Sequence, residues 1–232
     1  MISVIIPTYQ HGATIAQCLD AVFAQTLQAG EIIVVNDGST DKTSEALKPY
    51  LHRIILIQQE NKGAQAARNR GWREAKGDLL IFCDADVRMK PCMLAQMAKA
   101  LEAHPEASYA YSAFRFGWKK FPGIPFNAAK LHRRNFVHTT SLVRRADFPG
   151  FDESVKRLQD WDVWLTMLAQ GKQGVLVPET LFLVAVHGSS RIGSSWLPRI
   201  AYCLPWDRLG WMPSAIRTYR LAREAIVLKH TL

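Results

Sequence analysis

The first hundred residues alternate between short apolar runs and longer amphipathic stretches. Four runs rich in Ile, Val and Leu cover residues 2–6, 31–36, 53–58 and 78–83. Between them, residues 11–28, 41–51 and 62–76 are amphipathic, as surface helices are. Continuously apolar strands separated by helices are typical of a parallel sheet that is covered on both faces. The pattern therefore predicts an α/β fold with a mostly parallel central sheet flanked by helices.

The second half of the chain has a different pattern. Aromatic residues and prolines are frequent over residues 114–126, and residues 135–145 predict a strand in a polar setting. Residues 158–168 have helical spacing, with a predicted buried stripe of Trp161, Trp164, Leu165 and Leu168. Residues 174–177 predict a short strand, followed by an apolar run at 181–187. The Gly- and Ser-rich residues 188–195 predict a mobile loop.

The end of the chain predicts a basic amphipathic helix. Its apolar stripe is formed by Ala215, Ile216, Tyr219, Ala222 and Ile226, with Arg217, Arg220 and Arg223 beside it. Upstream lie Trp196, Leu197, Leu204, Trp206 and Trp211. A basic amphipathic helix with tryptophans suits an anionic membrane surface. The same pattern fits a helix that packs on the domain and leaves a solvated basic edge, and the sequence leaves both interpretations open.

Polar and small residues follow each of the four predicted strands of the first half. They occupy residues 7–10, 36–41, 60–71 and 84–86. In parallel α/β sheets, ligands bind outside the carboxyl ends of the strands. We therefore expect these four segments to meet along one edge of the sheet and to form the functional site.

Asp84 and Asp86 stand at the end of the fourth strand, with only Ala85 between them. Residues i and i+2 of a strand point to the same side, and two carboxylates that converge repel each other. A divalent cation with oxygen ligands would relieve this repulsion and could also hold a diphosphate. The chain has neither the Gly-x-Gly-x-x-Gly pattern after the first strand nor a P-loop motif, so a metal is the expected way of holding phosphates.

The formal net charge of +9 over 232 residues points to an anionic partner. No basic and aromatic recognition motif is present, which argues against nucleic acid. The four cysteines, Cys18, Cys83, Cys92 and Cys203, fit no zinc or redox spacing and predict free thiols in a reducing cytosol. The chain shows no signal-peptide pattern and no apolar run long enough for a membrane span, so a cytoplasmic protein is expected.

Several ordered motifs resemble one family. They are IIPTY (residues 5–9), VVNDGSTD (34–41), NKG (61–63), ARNRG (67–71), FCDAD (82–86), GFDE (150–153) and QDWDVWL (159–165). The chain resembles the family 2 glycosyltransferases of the GT-A fold over about residues 2–190. The resemblance implies a nucleotide-binding half (1–103), an acceptor half (104–190), and a closing loop with basic helices (191–232).

The resemblance also implies an activity: inverting, metal-assisted transfer of a hexosyl or N-acetylhexosaminyl group from a nucleotide diphosphate. It implies a UDP-sugar donor, a Mn²⁺ or Mg²⁺ cofactor, and a saccharide or lipid-linked saccharide acceptor, as in surface-polysaccharide assembly. Peripheral contact with the inner face of an anionic membrane would accompany a lipid-linked acceptor.

Site residues follow from the matching motifs. The implied catalytic base is Asp160, and the implied metal ligands are Asp86 and His187. The implied nucleotide-binding residues are Pro7, Thr8, Tyr9, Asp37, Lys62, Gly63, Arg68, Asp84, Ala85 and Arg191. His138, Thr139 and Thr140 are expected to line the acceptor cleft. An alternative role for Asp160 is a helix cap, since a carboxylate is favoured in the first turn of a helix.

Three residues depart from the family pattern: Gln159 replaces a Glu, Val87 replaces an acid, and Gln10 replaces an Asn in a turn. Two other functions are compatible with parts of the pattern. One is a sugar nucleotidyltransferase, although the Gly-rich basic loop expected after its first strand is replaced by residues 7–9. The other is a non-catalytic module that binds nucleotide sugars.

Overall fold

The computed structural model describes residues 1–185, 202, 204, 206 and 212–231. The strands are β1 (Ile2–Thr8), β2 (Glu31–Asp37), β3 (Ile55–Gln59), β4 (Leu79–Phe82), β5 (Val87–Met89), β6 (Tyr109–Phe116), β7 (Lys119–Phe121), β8 (Leu142–Arg144) and β9 (Gly174–Val184). The helices are α1 (Ile15–Phe23), α2 (Thr43–Leu47), α3 (Ala64–Glu74), α4 (Met93–Ala103), α5 (Ala128–Arg133), α6 (Gln159–Ala169) and α7 (Ser214–Lys229).

The strands form one mixed sheet in the order β3-β2-β1-β4-β8-β6-β9-β5, with β7 paired to β6. Strands β1 to β4 are parallel to one another, as their apolar runs predict. The second half adds antiparallel pairs, namely β4 with β8, β6 with β7 and β8, and β5 with β9. The predicted α/β architecture is confirmed.

Each face of the sheet carries its own apolar core. Val4 and Ile6 of β1 face α1, α2 and α4, whereas Ile5 faces the core that includes α3, α6 and α7. This alternation follows from the period of two in a strand. Both faces of β1 are therefore buried in apolar cores, which explains its continuously apolar sequence.

Two predictions about the second half need correction. Residues 135–141 are not a strand, and only Leu142–Arg144 pairs in the sheet. The reason is that this segment turns back on itself: the Val137 N–H donates to Asn135 Oδ1 at 3.0 Å, and the Thr140 N–H donates to His138 Nδ1 at 3.0 Å. Residues 174–184 form one strand rather than two segments, with an irregularity opposite Ala113.

The C-terminal helix α7 packs on the domain. Ile216 and Ile226 are buried, as the predicted apolar stripe requires. At its end, Lys229 Nζ lies 2.7 Å from Asp152 Oδ2 and 2.8 Å from Asp162 Oδ1, and His230 Nε2 lies 2.8 Å from Asp162 Oδ1. Of the two interpretations that the sequence leaves open for this helix, the structure shows packing on the domain.

No helix in the described part of the chain has both the length and the apolarity that a membrane crossing requires. Cys18, Cys83 and Cys92 are free thiols, and Cys18 and Cys83 are buried. Cys203, the predicted loop at 188–195, and Trp196, Leu197 and Trp211 lie outside the described residues.

Candidate functional site

Asp37, at the end of β2, holds the loop that follows β3. Its carboxylate accepts hydrogen bonds from the backbone N–H groups of Lys62 and Gly63 at 2.9 and 2.8 Å, and from Gln59 Nε2 at 2.7 Å. Asp37 is buried, and Gly63 has a φ of +95° that favours glycine. Both carboxylate oxygens of Asp37 are thus engaged in shaping this loop.

Gln10 joins the loops after β1 and β2. Its Oε1 accepts from the N–H groups of Thr40 and Asp41, both at 3.0 Å, and its Nε2 donates to Thr40 Oγ1 at 2.9 Å. Gln10 itself has a φ of +59°, a left-handed conformation that is uncommon outside glycine. From the sequence, Gln10 is only a replaced turn residue, and its bridging role is visible only in three dimensions.

Arg68 of α3 reaches the end of β4. Its Nη2 lies 2.5 Å from Asp84 Oδ1, and the side chains are 5% and 31% exposed, respectively. Burial opposes ionisation of Asp84, but the guanidinium of Arg68 overcomes it and holds the pKa of Asp84 below its ordinary value. Nε and Nη1 of Arg68 are buried and have no hydrogen-bond partner among the described residues. These two donors therefore lack the partner that buried polar groups normally have.

Asp86 lies in a turn rather than in a strand. Strand β4 ends at Phe82, and the Val87 N–H donates to the Asp84 carbonyl oxygen at 2.9 Å. The strand geometry expected for the two carboxylates is therefore wrong, yet they still lie close enough to interact. Burial, together with the charge of Asp84, raises the pKa of Asp86 to about 7.

His138 lies near Asp84 and Arg68. Its ring contacts Phe114 and Phe182, with ring centroids 4.8 and 5.0 Å away. Burial lowers the pKa of His138 to about 4, although Asp84 acts in the opposite direction. The imidazole is therefore neutral at pH 7. Because its Nδ1 accepts from the Thr140 N–H at 3.0 Å, the proton resides on Nε2.

The two threonines after His138 lie inside the protein. Thr139 is buried and Thr140 is completely buried. Thr140 Oγ1 is buried without a hydrogen-bond partner among the described residues, and a role of Thr140 at the acceptor cleft stays a prediction. Its contribution is the backbone N–H that orients His138.

Asp160 lies in the first turn of α6, where two groups orient its carboxylate. Oδ2 accepts from Asn135 Nδ2 at 2.7 Å, and Oδ1 accepts from the Trp161 N–H at 2.9 Å. The N-cap position belongs to Leu158, not to Asp160. Burial raises the pKa of Asp160 to about 6, while the Trp161 N–H and Arg68 oppose this rise. The charges of Arg68 and Asp84 both influence this pKa, so these two groups lie near Asp160.

Asn69 of α3 attaches the turn at residues 150–153 to the first half of the chain. Its Nδ2 donates to the Phe151 carbonyl at 2.8 Å and its Oδ1 accepts from the Phe151 N–H at 2.9 Å. Two residues further, a Cβ on Gly71 would lie 2.5 Å from Ile5 Cγ2, so only glycine lets α3 pack this closely on β1. The ARNRG motif thus positions α3 so that Arg68 contacts Asp84.

The remaining site residues are distributed as follows. Pro7 and Thr8 end the buried strand β1, and Thr8 Oγ1 is buried with no partner in the described part of the chain. Tyr9 is exposed and Ala85 is buried. His187 and Arg191 lie outside the described residues. Among the residues that are described, no three His, Cys, Asp or Glu side chains converge on one metal position.

The family model for "Glycosyl transferase family 2" matches residues 3–152. The chain is 32% identical over 179 residues to the uncharacterized glycosyltransferase YwdF of Bacillus subtilis, covering 71% of this chain and 66% of YwdF. It is 44% identical over 88 residues to the glycosyltransferase GlyA of Streptococcus pneumoniae, covering 37% of this chain. The chain spans only 13% of the length of GlyA and 38% of the length of the Escherichia coli relative YibD.

Solved structures support the same fold. Staphylococcus aureus TarS 1-349 in complex with UDP-GlcNAc has a TM-score of 0.70 at 17% identity, covering 99% of this chain and 71% of TarS 1-349. The mannosyltransferase PcManGT from Pyrobaculum calidifontis, in complex with GDP-Man and Mn²⁺, has a TM-score of 0.67 at 21% identity, covering 99% of this chain and 70% of PcManGT. The GT-A fold expected from the motifs is confirmed. With the family model spanning the strand-end motifs from β1 to the GFDE turn, the chain belongs to glycosyl transferase family 2.

Proposed function

We propose that the protein is an inverting glycosyltransferase that moves a sugar from a UDP-sugar to a saccharide or lipid-linked saccharide acceptor. The observation that carries this proposal is the grouping of Asp86, Asp160 and His138 around the ion pair of Arg68 and Asp84, after the end of β4. TarS with UDP-GlcNAc and PcManGT with GDP-Man support a nucleotide-sugar donor.

In this proposal the nucleotide lies over the ends of β1, β2 and β4. Pro7, Thr8 and Tyr9 line the nucleoside pocket, and Lys62 and Gly63 form its neighbouring wall. The carboxylate oxygens of Asp37 already accept hydrogen bonds from the backbone of Lys62 and Gly63. Asp37 therefore affects the base indirectly, because it holds this loop in place. Arg68 has two unused buried donors with which to stabilise the negative charge of the donor substrate.

A divalent metal fits the chemistry of Asp86. The carboxyl of Asp86 is partly desolvated beside Asp84, and its raised pKa indicates a place where a cation would be favourable. Mg²⁺ and Mn²⁺ prefer oxygen ligands, and such metals commonly take one or two carboxylates with phosphate and water completing the shell. When bound, the metal would neutralise charge on the leaving diphosphate. His187 remains a proposed ligand, and Arg191 a proposed diphosphate contact.

Asp160 is the proposed general base. A pKa of about 6 leaves the carboxylate ionised at neutral pH, yet more basic than an ordinary aspartate. The acceptor oxygen attacks the anomeric carbon as its proton passes to Asp160, and the bond between that carbon and the diphosphate oxygen breaks on the opposite face. The sugar thereby inverts its configuration. Such general-base assistance contributes typically about 10²–10⁴-fold in rate.

Calorimetric titration with UDP, GDP and pyrophosphate, each with and without Mn²⁺, tests the donor assignment. We expect UDP to bind most tightly and its affinity to depend on the metal. Product NMR with a UDP-sugar then tests inversion through the anomeric configuration. Release of sugar 1-phosphate from a nucleotide sugar and pyrophosphate would instead identify a nucleotidyltransferase, and binding without turnover against an acceptor panel would identify a binding module.

A further inference from the structure

A row of basic side chains crosses the outer face of one edge of the sheet. Arg88 of β5 and Arg115 of β6 are both in register with Leu183 of β9, and Lys120 of β7 is in register with Arg115. Paired residues point to the same side of a sheet, so Lys120, Arg115 and Arg88 form one row, in which Leu183 lies between the two arginines. Because neighbouring strands lie about 4.8 Å apart, the row is about 14 Å long.

The opposite face of the same strands is apolar. The ring of Phe114 stacks on Phe121 and Phe182, with centroids 4.7 and 5.1 Å apart. Met89, in register with Phe182, is buried. The strands therefore alternate, with apolar side chains inside and basic side chains outside, and Arg88, Arg115 and Lys120 are exposed.

The row has little negative charge near it in its own strands. The strands β5, β6, β7 and β9 contain one acid, Glu179, against Arg88, Arg115, Lys119 and Lys120. Among the residues that the structure describes, Arg88, Arg115 and Lys120 make no ion pair. The side chain of Arg88 donates to the neutral amide oxygen of Gln17.

Such a row is unfavourable for the free protein. Like charges directly opposite each other on a sheet are destabilising, as for Arg115 and Lys120. Basic residues on an edge strand can prevent pairing between molecules, but Arg115 lies between β7 and β9 and not at an edge. Protection of an edge therefore does not account for the whole row.

Apolar surface accompanies the row. A groove of about 390 Å³ is lined by Arg88, Lys90 and Arg115 together with the half-buried Leu183. At the turn between β6 and β7, where Gly117 has a φ of +55°, Trp118 is 88% exposed. Exposure of a whole indole beside several cations indicates a surface that meets something both anionic and partly apolar.

We propose that this basic face, formed by Arg88, Arg115, Trp118 and Lys120, docks on an anionic phospholipid membrane. A flat row of cations matches a layer of lipid phosphates, and tryptophan favours the boundary between lipid and water. A single-stranded nucleic acid would instead require several aromatic platforms along a groove, whereas Trp118, in the turn next to this row, is the one tryptophan that is exposed among the described residues. The proposal concerns location and does not depend on the proposed sugar transfer.

Vesicle co-sedimentation with the full chain tests the proposal. The vesicles are phosphatidylcholine with or without phosphatidylglycerol. The test variant is Arg115→Gln with Lys120→Gln, and the matched control is Lys48→Gln with Lys99→Gln, two exposed lysines of the 48–50 turn and α4. Since each basic residue near an anionic surface contributes about 1 kcal/mol, the test pair should lose about 30-fold in affinity. The control pair should lose little, and UDP binding should be unchanged in both variants.

Trp118→Ser separates the apolar part of the interaction from the charge. Its loss of vesicle affinity should persist at high salt, whereas the loss in Arg115→Gln with Lys120→Gln should shrink as salt screens the charges. Three results would overturn the proposal: equal binding to neutral and anionic vesicles, equal losses in the test and control pairs, or tighter binding to a soluble polyanion such as single-stranded DNA that displaces the vesicles.

Discussion

Replacing Asp160 by Asn should make the protein more stable and nearly inactive. In the folded protein, burial raises the pKa of Asp160 from 3.8 to about 6. Between these two pH values the folded state retains a proton that the unfolded state has lost, so the contribution of Asp160 to stability falls as the pH rises. Each tenfold change in proton affinity corresponds to about 1.4 kcal/mol. Keeping Asp160 ionised in the folded protein therefore lowers the free energy of unfolding by about 3 kcal/mol at pH 7.

The net gain in the variant is smaller, because Asn does not reproduce both hydrogen bonds. Asn135 donates its Nδ2 to Asp160 while its Oδ1 accepts from the Val137 N–H, so the side-chain amide of Asn135 is not free to turn round. The two carboxylate oxygens of Asp160 accept from Asn135 Nδ2 and from the Trp161 N–H. An Asn side chain has only one oxygen, so its NH₂ group would face one of these two donors, at a cost of about 1 kcal/mol. We therefore expect Asp160→Asn to gain about 1–2 kcal/mol at pH 7 and to gain nothing below about pH 4.

Urea unfolding between pH 4 and pH 8 measures the stability difference. Asp162→Asn is a matched control, since Asp162 lies on the same helix but is paired with Lys229 and His230. Loss of its charge should destabilise the protein by about 1–3 kcal/mol. Turnover of Asp160→Asn at saturating donor should fall by about 10²-fold or more. Equal stability of wild type and Asp160→Asn across this pH range, or turnover within a few-fold of wild type, would refute the reasoning.

Three further predictions concern other residues and measurements at the candidate site. Wild-type turnover should rise with pH through about 6, because Asp160 accepts a proton only when ionised; a pH-rate profile without a step there would contradict the assignment. Asp86→Ala should remove the Mn²⁺ dependence of UDP binding in calorimetry while the circular dichroism spectrum is retained, and unchanged UDP affinity with Mn²⁺ would disprove the metal role. Asp37→Ala should lower the free energy of unfolding by about 1–3 kcal/mol, since two backbone N–H groups lose their acceptor, and an unchanged urea midpoint would contradict this role.

The parallel half of the sheet follows from the sequence by itself. Short, continuously apolar runs and helical runs of period 3.6 are local properties, and each can be recognised without knowing its neighbours. Parallel strands then bring their carboxyl ends together, so the positions of Asp37, Arg68 and Asp84 at one edge are predictable. The buried stripe of α6 was predictable for the same reason, with Trp161, Trp164 and Leu165 buried and Leu168 partly buried.

The strand predicted over residues 135–145 is wrong for residues 135–141, because side-chain and backbone hydrogen bonds within that segment replace sheet pairing. Similarly, Asp84 and Asp86 share a turn rather than a strand, and it is Arg68 that neutralises Asp84. A periodic pattern shows which face of an element is apolar. It does not show where a side chain forms a hydrogen bond with a nearby backbone group and so replaces sheet pairing.

Only the tertiary structure decided which distant side chains meet. Asn135 orients Asp160 across 25 positions, and His230 holds Asp162 across 68. The basic face depends on strand register, because a shift of one residue in β6 or β7 would turn Arg115 or Lys120 to the apolar side. Register and long-range pairing are set by packing of the whole chain, so they leave no local signal in the sequence.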